Sequence, residues 1–384
     1  MTERANNHAA VVFALPYLAD YREGFFTALE GRLQGHLRLI HPFEPYGASV
    51  RVFEHPASHR GERVRRVLGG FESQRHLVRN VARHSPSVVI IEANVRDLSY
   101  LRLLVWCRWK SVPAAIWGLG RYNRDRSRIE SLVGDLMTAT LVTLSNKVIG
   151  KGSGPADYYR RFTNDPNKVT YAPNSSGIEE ELRAIERDTE VDPEVAVKIL
   201  FVGRVTPAKD LDKFITALAG LDLPKSWRLE IVGEGPAEGE LKLLATRLNV
   251  AEQVTFHGNL RGDKLVDQYR AANLLTLPGK GGLVIPEALA AGLPVLVGPL
   301  DHAGDGTLSE MLTDGENSWV AKSSTSTGLA EAAGRALDDI RGGQLRRMQD
   351  SARRAYETHG GVSAMVDVFH RFIADSVGSG GLKP

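Results

Sequence analysis

Short apolar runs alternate with longer amphipathic stretches along most of the chain. A run of four to six apolar residues is too short for a helix and suits a buried strand. Apolar positions recurring every three or four residues suit a helix lying on a sheet. In the first half this pattern predicts strands at 11–15, 88–91 (VVII), 114–117, 141–144, 148–149 and 169–172. It predicts helices over 22–33, 72–84 and 155–162. The rhythm breaks in a polar, acidic stretch (EEELRAIERDTEVDPE) that predicts no strand and at most a short surface helix. It restarts with strands at 199–203 (ILFVG), 229–233 (LEIVG), 254–257 (VTFH), 273–277 and 295–297. Helices over 211–221, 238–248, 264–271 and 283–291 lie between them, and 362–377 has helical periodicity beyond the second series.

Alternation of strand and helix implies a mostly parallel sheet with helices on both faces. Here it occurs twice, so the expected fold class is α/β with two Rossmann-like, doubly wound units. The expected organisation is a first Rossmann-like domain at 1–175, a linker at 176–197, a second Rossmann-like domain at 198–361, and a C-terminal helix and tail at 362–384 that packs back on the first domain. Such sheets bind ligands at the carboxyl ends of their strands. Two of them facing each other would enclose a cleft.

Composition narrows the class. With 384 residues, 42% apolar and 24% charged, the chain is an ordinary globular one and not a disordered one. A single cysteine, Cys107, excludes an internal disulfide and a Cys-rich zinc site. The net charge is +2, but residues 1–180 carry +8 and residues 181–384 carry −6. The basic excess lies in 60–83 and 102–128. It reads either as a solvated arginine face or as contact with an anionic membrane surface or acceptor. No nucleic-acid recognition motif accompanies it. The apolar stretch 9–19 reads as a first strand ending at Pro16 and not as a leader, and no run approaches the ~18 apolar residues of a membrane span. The expected location is cytoplasmic, with association at the inner face of the membrane as the alternative.

Several chemistries are missing from the sequence. No GxGxxG follows the first strand, and no GxxxxGK[ST], HExxH or CxxC occurs. Asp210-Leu211-Asp212 resembles a metal-binding DxD, but it falls at an expected helix start, where aspartates serve as caps. The segment 201–209 (FVGRVTPAK) is more informative. A strand runs into Gly203, then Arg204, with Lys209 five residues on. Arginine forks onto phosphate oxygens and lysine adds a compact charge. The segment 277–294 (LPGKGGLVIPEALAAGLP) ends a strand in a glycine-rich turn, Gly279-Lys280-Gly281-Gly282, that opens a helix. Backbone N–H groups at such a turn suit phosphate. Glu287, one turn in, repels phosphate and suits neutral hydroxyls such as those of a ribose.

Taken in order, these residues resemble the group 1 glycosyltransferases, glycosyltransferase family 4, which have the GT-B fold. The matching pieces are FVGR-x4-K, Ile231-Val232-Gly233-Glu234-Gly235-Pro236, Val254-Thr255-Phe256-His257-Gly258, the Gly-Gly-Leu-Val…Glu-Ala-Leu-Ala…Gly-Leu-Pro-Val block, and Glu310…Asp314-Gly315. They span about 198–320. In the first half the likeness is looser: Trp117-Gly118-Leu119-Gly120 and Ala172-Pro173-Asn174-Ser175. The resemblance implies retaining transfer of a sugar from a nucleotide-diphosphate donor, with no metal and no cofactor. It implies that Arg204 and Lys209 bind the diphosphate, and that Gly282, Leu283 and Val284 meet phosphate through backbone N–H groups beside Gly203, Lys280 and Gly281. Glu287 would hold the ribose, while Phe256, His257 and Gly258 would line the base pocket.

The family's usual acceptor is a cell-surface polysaccharide or glycolipid, and Tyr17, Tyr21, Arg22 and Leu119 are the acceptor-side candidates. Tyr21-Arg22 reads equally as a surface pair at a helix start. Two positions depart from the family. Gly279 stands where it has a glutamate on the transferred sugar, and Leu119 where it often has a histidine. These departures fit a deoxy sugar with fewer hydroxyls. They also fit an inactive nucleotide-sugar-binding partner subunit, which stands as the alternative. A sugar-nucleotide epimerase would need acid and base groups at those same positions.

Overall fold

The structure, a computed structural model, describes residues 10–42, 53–61, 64–66, 71–120, 128–187, 196–221, 227–279, 281–300 and 309–378. The chain divides into two compact units, Met1–Gly177 with Val362–Pro384, and Ile178–Gly361.

Unit 1 runs β1 (Ala10–Ala14), α1 (Glu23–Leu33), β2 (Leu37–His41), β3 (Ser58–Arg60), β4 (Val64–Arg66), β5 (Glu72–Gln74), α2 (Leu77–Ala82), β6 (Pro86–Glu92), α3 (Leu98–Trp109), β7 (Ala114–Gly118), α4 (Arg128–Leu144), β8 (Lys147–Gly150), α5 (Ser153–Arg160) and β9 (Val169–Tyr171). Its sheet has the order β3-β2-β1-β6-β7-β8-β9 with parallel neighbours, and β4 and β5 form a separate antiparallel pair. β1 shows why the run is a strand. Val11 and Phe13 enter the core on one face of the sheet, while Ala10, Val12 and Ala14 enter the core on the other. Alternate residues face opposite sides, and a parallel sheet is covered on both.

Unit 2 runs α6 (Glu179–Arg183), β10 (Val197–Val202), α7 (Leu211–Ala219), β11 (Trp227–Val232), α8 (Glu238–Arg247), β12 (Val254–Gly258), α9 (Asp263–Ala271), β13 (Leu274–Leu277), α10 (Val284–Ala290), β14 (Val295–Val297), β15 (Ser318–Val320), α11 (Ser326–Arg341) and α12 (Leu345–His359). Its parallel sheet has the order β12-β11-β10-β13-β14-β15. The last helix, α13 (Val362–Val377), returns to unit 1. There Phe369 lies 5.7 Å from Phe13, 5.1 Å from Phe25 and 5.2 Å from Trp117, ring centre to ring centre.

Three expectations need correction. Residues 141–144 are the last turn of α4 and not a strand. Thr138, Thr140 and Thr143 each donate their hydroxyl to the carbonyl four residues earlier, the back-bond by which a threonine inside a helix satisfies its hydroxyl. Residues 72–84 divide into β5 and α2. The expected linker is in part built into unit 2. Leu182 and Ile185 are buried in its core, and Arg187 donates to the carbonyls of Tyr269, Ala272 and Ala291. Arg353 on α12 clamps the same segment through the carbonyls of Arg183 and Ile185. Residues 188–195 lie outside the described set.

Candidate functional site

The loops at the carboxyl ends of β10, β11 and β13 are welded together at backbone level. Gly203 and Gly233 adopt φ of +148° and +131°, which only glycine takes without strain. A β-carbon on Gly233 would lie 1.9 Å from the Gly203 carbonyl oxygen. The close approach is stitched by Gly203 N–H to the Val232 carbonyl (2.9 Å) and Val205 N–H to the Glu234 carbonyl (3.0 Å). Arg204 therefore leaves a fixed backbone, with its side chain at the surface. Lys209, half-buried, closes a 3₁₀ turn at Pro207–Lys209.

The loop after β13 rests directly on that turn. A β-carbon at Gly279 would stand 2.4 Å from the Ala208 carbonyl oxygen and 2.8 Å from the Lys209 Cα. Position 279 thus has no room for the glutamate of the family pattern, because the main chain of the lysine turn occupies the space. Gly281, Gly282 and Leu283 follow, half-buried, and Val284 opens α10. Lys280 lies outside the described residues.

Glu287 on α10 accepts a 2.6 Å hydrogen bond from the Tyr269 hydroxyl. Tyr269 is fully buried on α9. Burial, and then the nearby Glu287 charge, push its phenol well above its usual pKa, so it remains a donor. Nothing in the periodicity singled out Tyr269, whose signal is only its place on the buried face of α9.

The base-pocket candidates divide between partners. His257 Nε2 lies 2.7 Å from Glu230 Oε2 on the neighbouring strand. The Phe256 ring carries the Lys242 ammonium at 5.1 Å. The Gly258 carbonyl accepts from Gly233 N–H at 2.7 Å, which ties β12 to the same edge. Asp210 does not cap α7 with its side chain; it pairs with Lys213 at 2.9 Å.

In unit 1 the acceptor-side candidates follow β1 and β7. Arg22 is not half of a surface pair. It is 4% exposed, with its guanidinium 4.4 Å from the Trp117 ring centre and 5.0 Å from that of Tyr21. Tyr17 and Tyr21 are half-buried, and so is Leu119 in the loop after β7. Burial pushes the Tyr17 phenol up. Two residues of this neighbourhood escaped the sequence reading. Lys151 follows β8 and its ammonium lies 4.3 Å from the Trp117 ring centre, in contact with the Glu92 carboxylate at the end of β6. Burial lowers the Lys151 pKa to about 8, against the opposing pull of Glu92. A strand followed by glycine and a cation (VIGK) repeats the pattern that singled out FVGR, and could have found it.

Among the described residues no helix is long and apolar enough to cross a membrane.

Residues 183–355 match the family model for glycosyl transferases group 1. The D-inositol 3-phosphate glycosyltransferase of Streptomyces griseus is 33% identical over 199 residues, which cover 48% of this chain and 41% of that one. The protein of the same name from Nocardia farcinica is 36% identical over 162 residues, 39% of this chain and 34% of that one. The chain therefore spans less than half the length of these curated relatives. The crystal structure of Anabaena HepE in complex with UDP superposes with a TM-score of 0.69 at 14% identity, over 95% of this chain and 100% of that one. A glycosyltransferase from Rickettsia africae superposes with a TM-score of 0.68 at 12% identity, over 97% and 99%. The chain has the GT-B fold of two Rossmann-like α/β domains, and its second domain carries a segment that matches the group 1 glycosyl transferases.

Proposed function

We propose that the protein is a retaining, metal-independent glycosyltransferase that moves a hexosyl or deoxyhexosyl group from a nucleoside-diphosphate sugar to an acceptor hydroxyl. The observation that carries this reading is the main-chain contact of Gly279 with the Lys209 turn. It sets the main chain of the lysine turn against the glycine-rich loop that leads to Glu287, on the strand-end edge that also bears Arg204. In this reading Arg204 and Lys209 grip the diphosphate, each charge-assisted bond contributing roughly 1.5–3 kcal/mol. Backbone N–H groups of 281–284 assist. Glu287, its orientation held by Tyr269, accepts from the ribose hydroxyls. As the bond from the anomeric carbon to the diphosphate breaks, the acceptor oxygen bonds to the same face, and its proton passes to a donor phosphate oxygen. The two cations then stabilise the leaving diphosphate, as preorganised charge does for a developing anion.

UDP in the Anabaena relative supports a nucleoside diphosphate as ligand. The phosphorylated inositol named for the curated relatives does not define the acceptor here, because the family match lies in the second unit and the acceptor candidates lie in the first. A polysaccharide or lipid-linked acceptor, made at an anionic membrane surface, fits the basic first half. A second reading, a catalytically silent subunit that binds the nucleotide sugar, is favoured by one observation: at Gly279 there is no space for a sugar-contacting side chain. A panel of UDP-, GDP- and dTDP-sugars separates the two. Transfer or slow hydrolysis of one donor is expected. Tight nucleotide binding without turnover on any of them would favour the silent subunit.

A further inference from the structure

The middle of the unit 1 sheet is a topological switch point. From β1 the chain moves toward β2 on one side, and from β6 it moves toward β7 on the other. At such a point the loops leave in opposite directions, and the crevice between them at the strand ends is the usual ligand position on such sheets. Four strand ends supply its side chains: Tyr17, Tyr21 and Arg22 after β1, Glu92 from β6, Trp117 from β7 and Lys151 after β8. Arg22 and Lys151 are each 4% exposed and both lie against the same indole.

Charge and hydrogen bonding are both unbalanced in this crevice. Among the described residues two buried cations, Arg22 and Lys151, stand here with one carboxylate, Glu92, which is already in contact with Lys151. Arg22 Nε, Arg22 Nη1 and Trp117 Nε1 are buried donors with no acceptor among the described residues. A buried donor without an acceptor costs free energy, and an uncompensated buried charge costs more. Helix α5, which begins at Ser153 just beyond Lys151, adds the positive end of its dipole. Every imbalance calls for the same thing, an anion with oxygen acceptors.

We infer that this crevice binds an acidic group of the acceptor, a phosphate or a carboxylate, with Arg22 and Trp117 donating to its oxygens and Lys151 supplying charge. The inference rests on the transferase reading for the word acceptor. The anion site itself does not depend on it.

The test is calorimetric titration of the full chain, with and without saturating UDP, using glycerol 1-phosphate and glucuronate as separate probes. One of the two is expected to bind, which identifies the acidic group. Arg22→Gln should weaken that probe at least tenfold and leave UDP affinity unchanged. Glu92→Gln removes the single carboxylate and should tighten the probe, an effect of opposite sign that damage to the fold would not produce. If Arg22→Gln fails to fold, Lys151→Met takes its place with the same expected loss. Failure of both probes to bind the wild-type chain, or equal binding by wild type and variants, overturns the inference. Loss of UDP binding alone would count against the donor reading and leave the anion site standing.

Discussion

Gly279 and Lys209 touch through main-chain atoms, with the site of a missing β-carbon 2.8 Å from the lysine Cα. The glycine is therefore part of how the lysine turn is held, and not only a lost side chain. Gly279→Glu should not restore the family pattern. It should push the turn away, destabilise the second unit by about 1–3 kcal/mol as overpacking does, and weaken UDP binding. Thermal unfolding with and without UDP reads both effects. A Gly279→Glu variant with wild-type stability and tighter donor binding would contradict the packing argument.

Arg204 stands at the surface on an immobilised backbone, so its removal should cost function and not stability. Arg204→Ala is expected to lower turnover by roughly 10²–10³-fold with little change in melting temperature. Single-turnover kinetics with the active donor check this. A turnover within a few-fold of wild type would remove Arg204 from the diphosphate site.

Tyr269→Phe removes only the hydroxyl that holds Glu287. A hydrogen bond to a charged group is worth about 1.5–3 kcal/mol, so donor affinity should fall by about tenfold or more. The loss should be larger for a ribonucleotide than for its 2′-deoxy counterpart, which has one hydroxyl fewer to offer. Equal losses for both nucleotides would argue that Glu287 does not face the ribose.

Lys151 gives a signed pH effect. Its folded pKa of about 8 lies below the ordinary 10.5, so between these values the unfolded chain holds more protons than the folded one. Stability conferred through this group should therefore rise as pH climbs from about 8 toward 10.5, by roughly 3 kcal/mol for a shift of this size. The measurement is the difference in denaturant stability between wild type and Lys151→Met across that range. A flat difference would mean that the ammonium is not desolvated.

Most strands of both sheets were legible because they are buried and read as short apolar runs; β2, β3 and β15, which the pattern did not predict, are mixed or only three residues long. What failed did so for physical reasons. Residues 141–144 imitate a strand because four residues at the end of a helix are too few to show a period. The segment 178–187 looks like a polar linker because its buried apolar anchors, Leu182 and Ile185, are few among charged residues, and the rest of its attachment runs through Arg187 and Arg353 to backbone carbonyls. The candidate donor-side residues were visible as strand–glycine–cation and glycine–helix patterns. Glu92 was not, since it is a lone charge at a strand end, and Lys151 carries the same strand–glycine–cation pattern in VIGK but gains its meaning only when β6, β7 and β8 lie side by side.

The return of α13 to the first unit fixes an order of events during synthesis. The aromatic cluster of Phe13, Phe25 and Trp117 is completed by Phe369, which leaves the ribosome after every residue of the second unit. The later-made domain can close before the earlier one, and the nascent amino-terminal half must wait with an unsealed apolar face, a natural point for a chaperone to intervene.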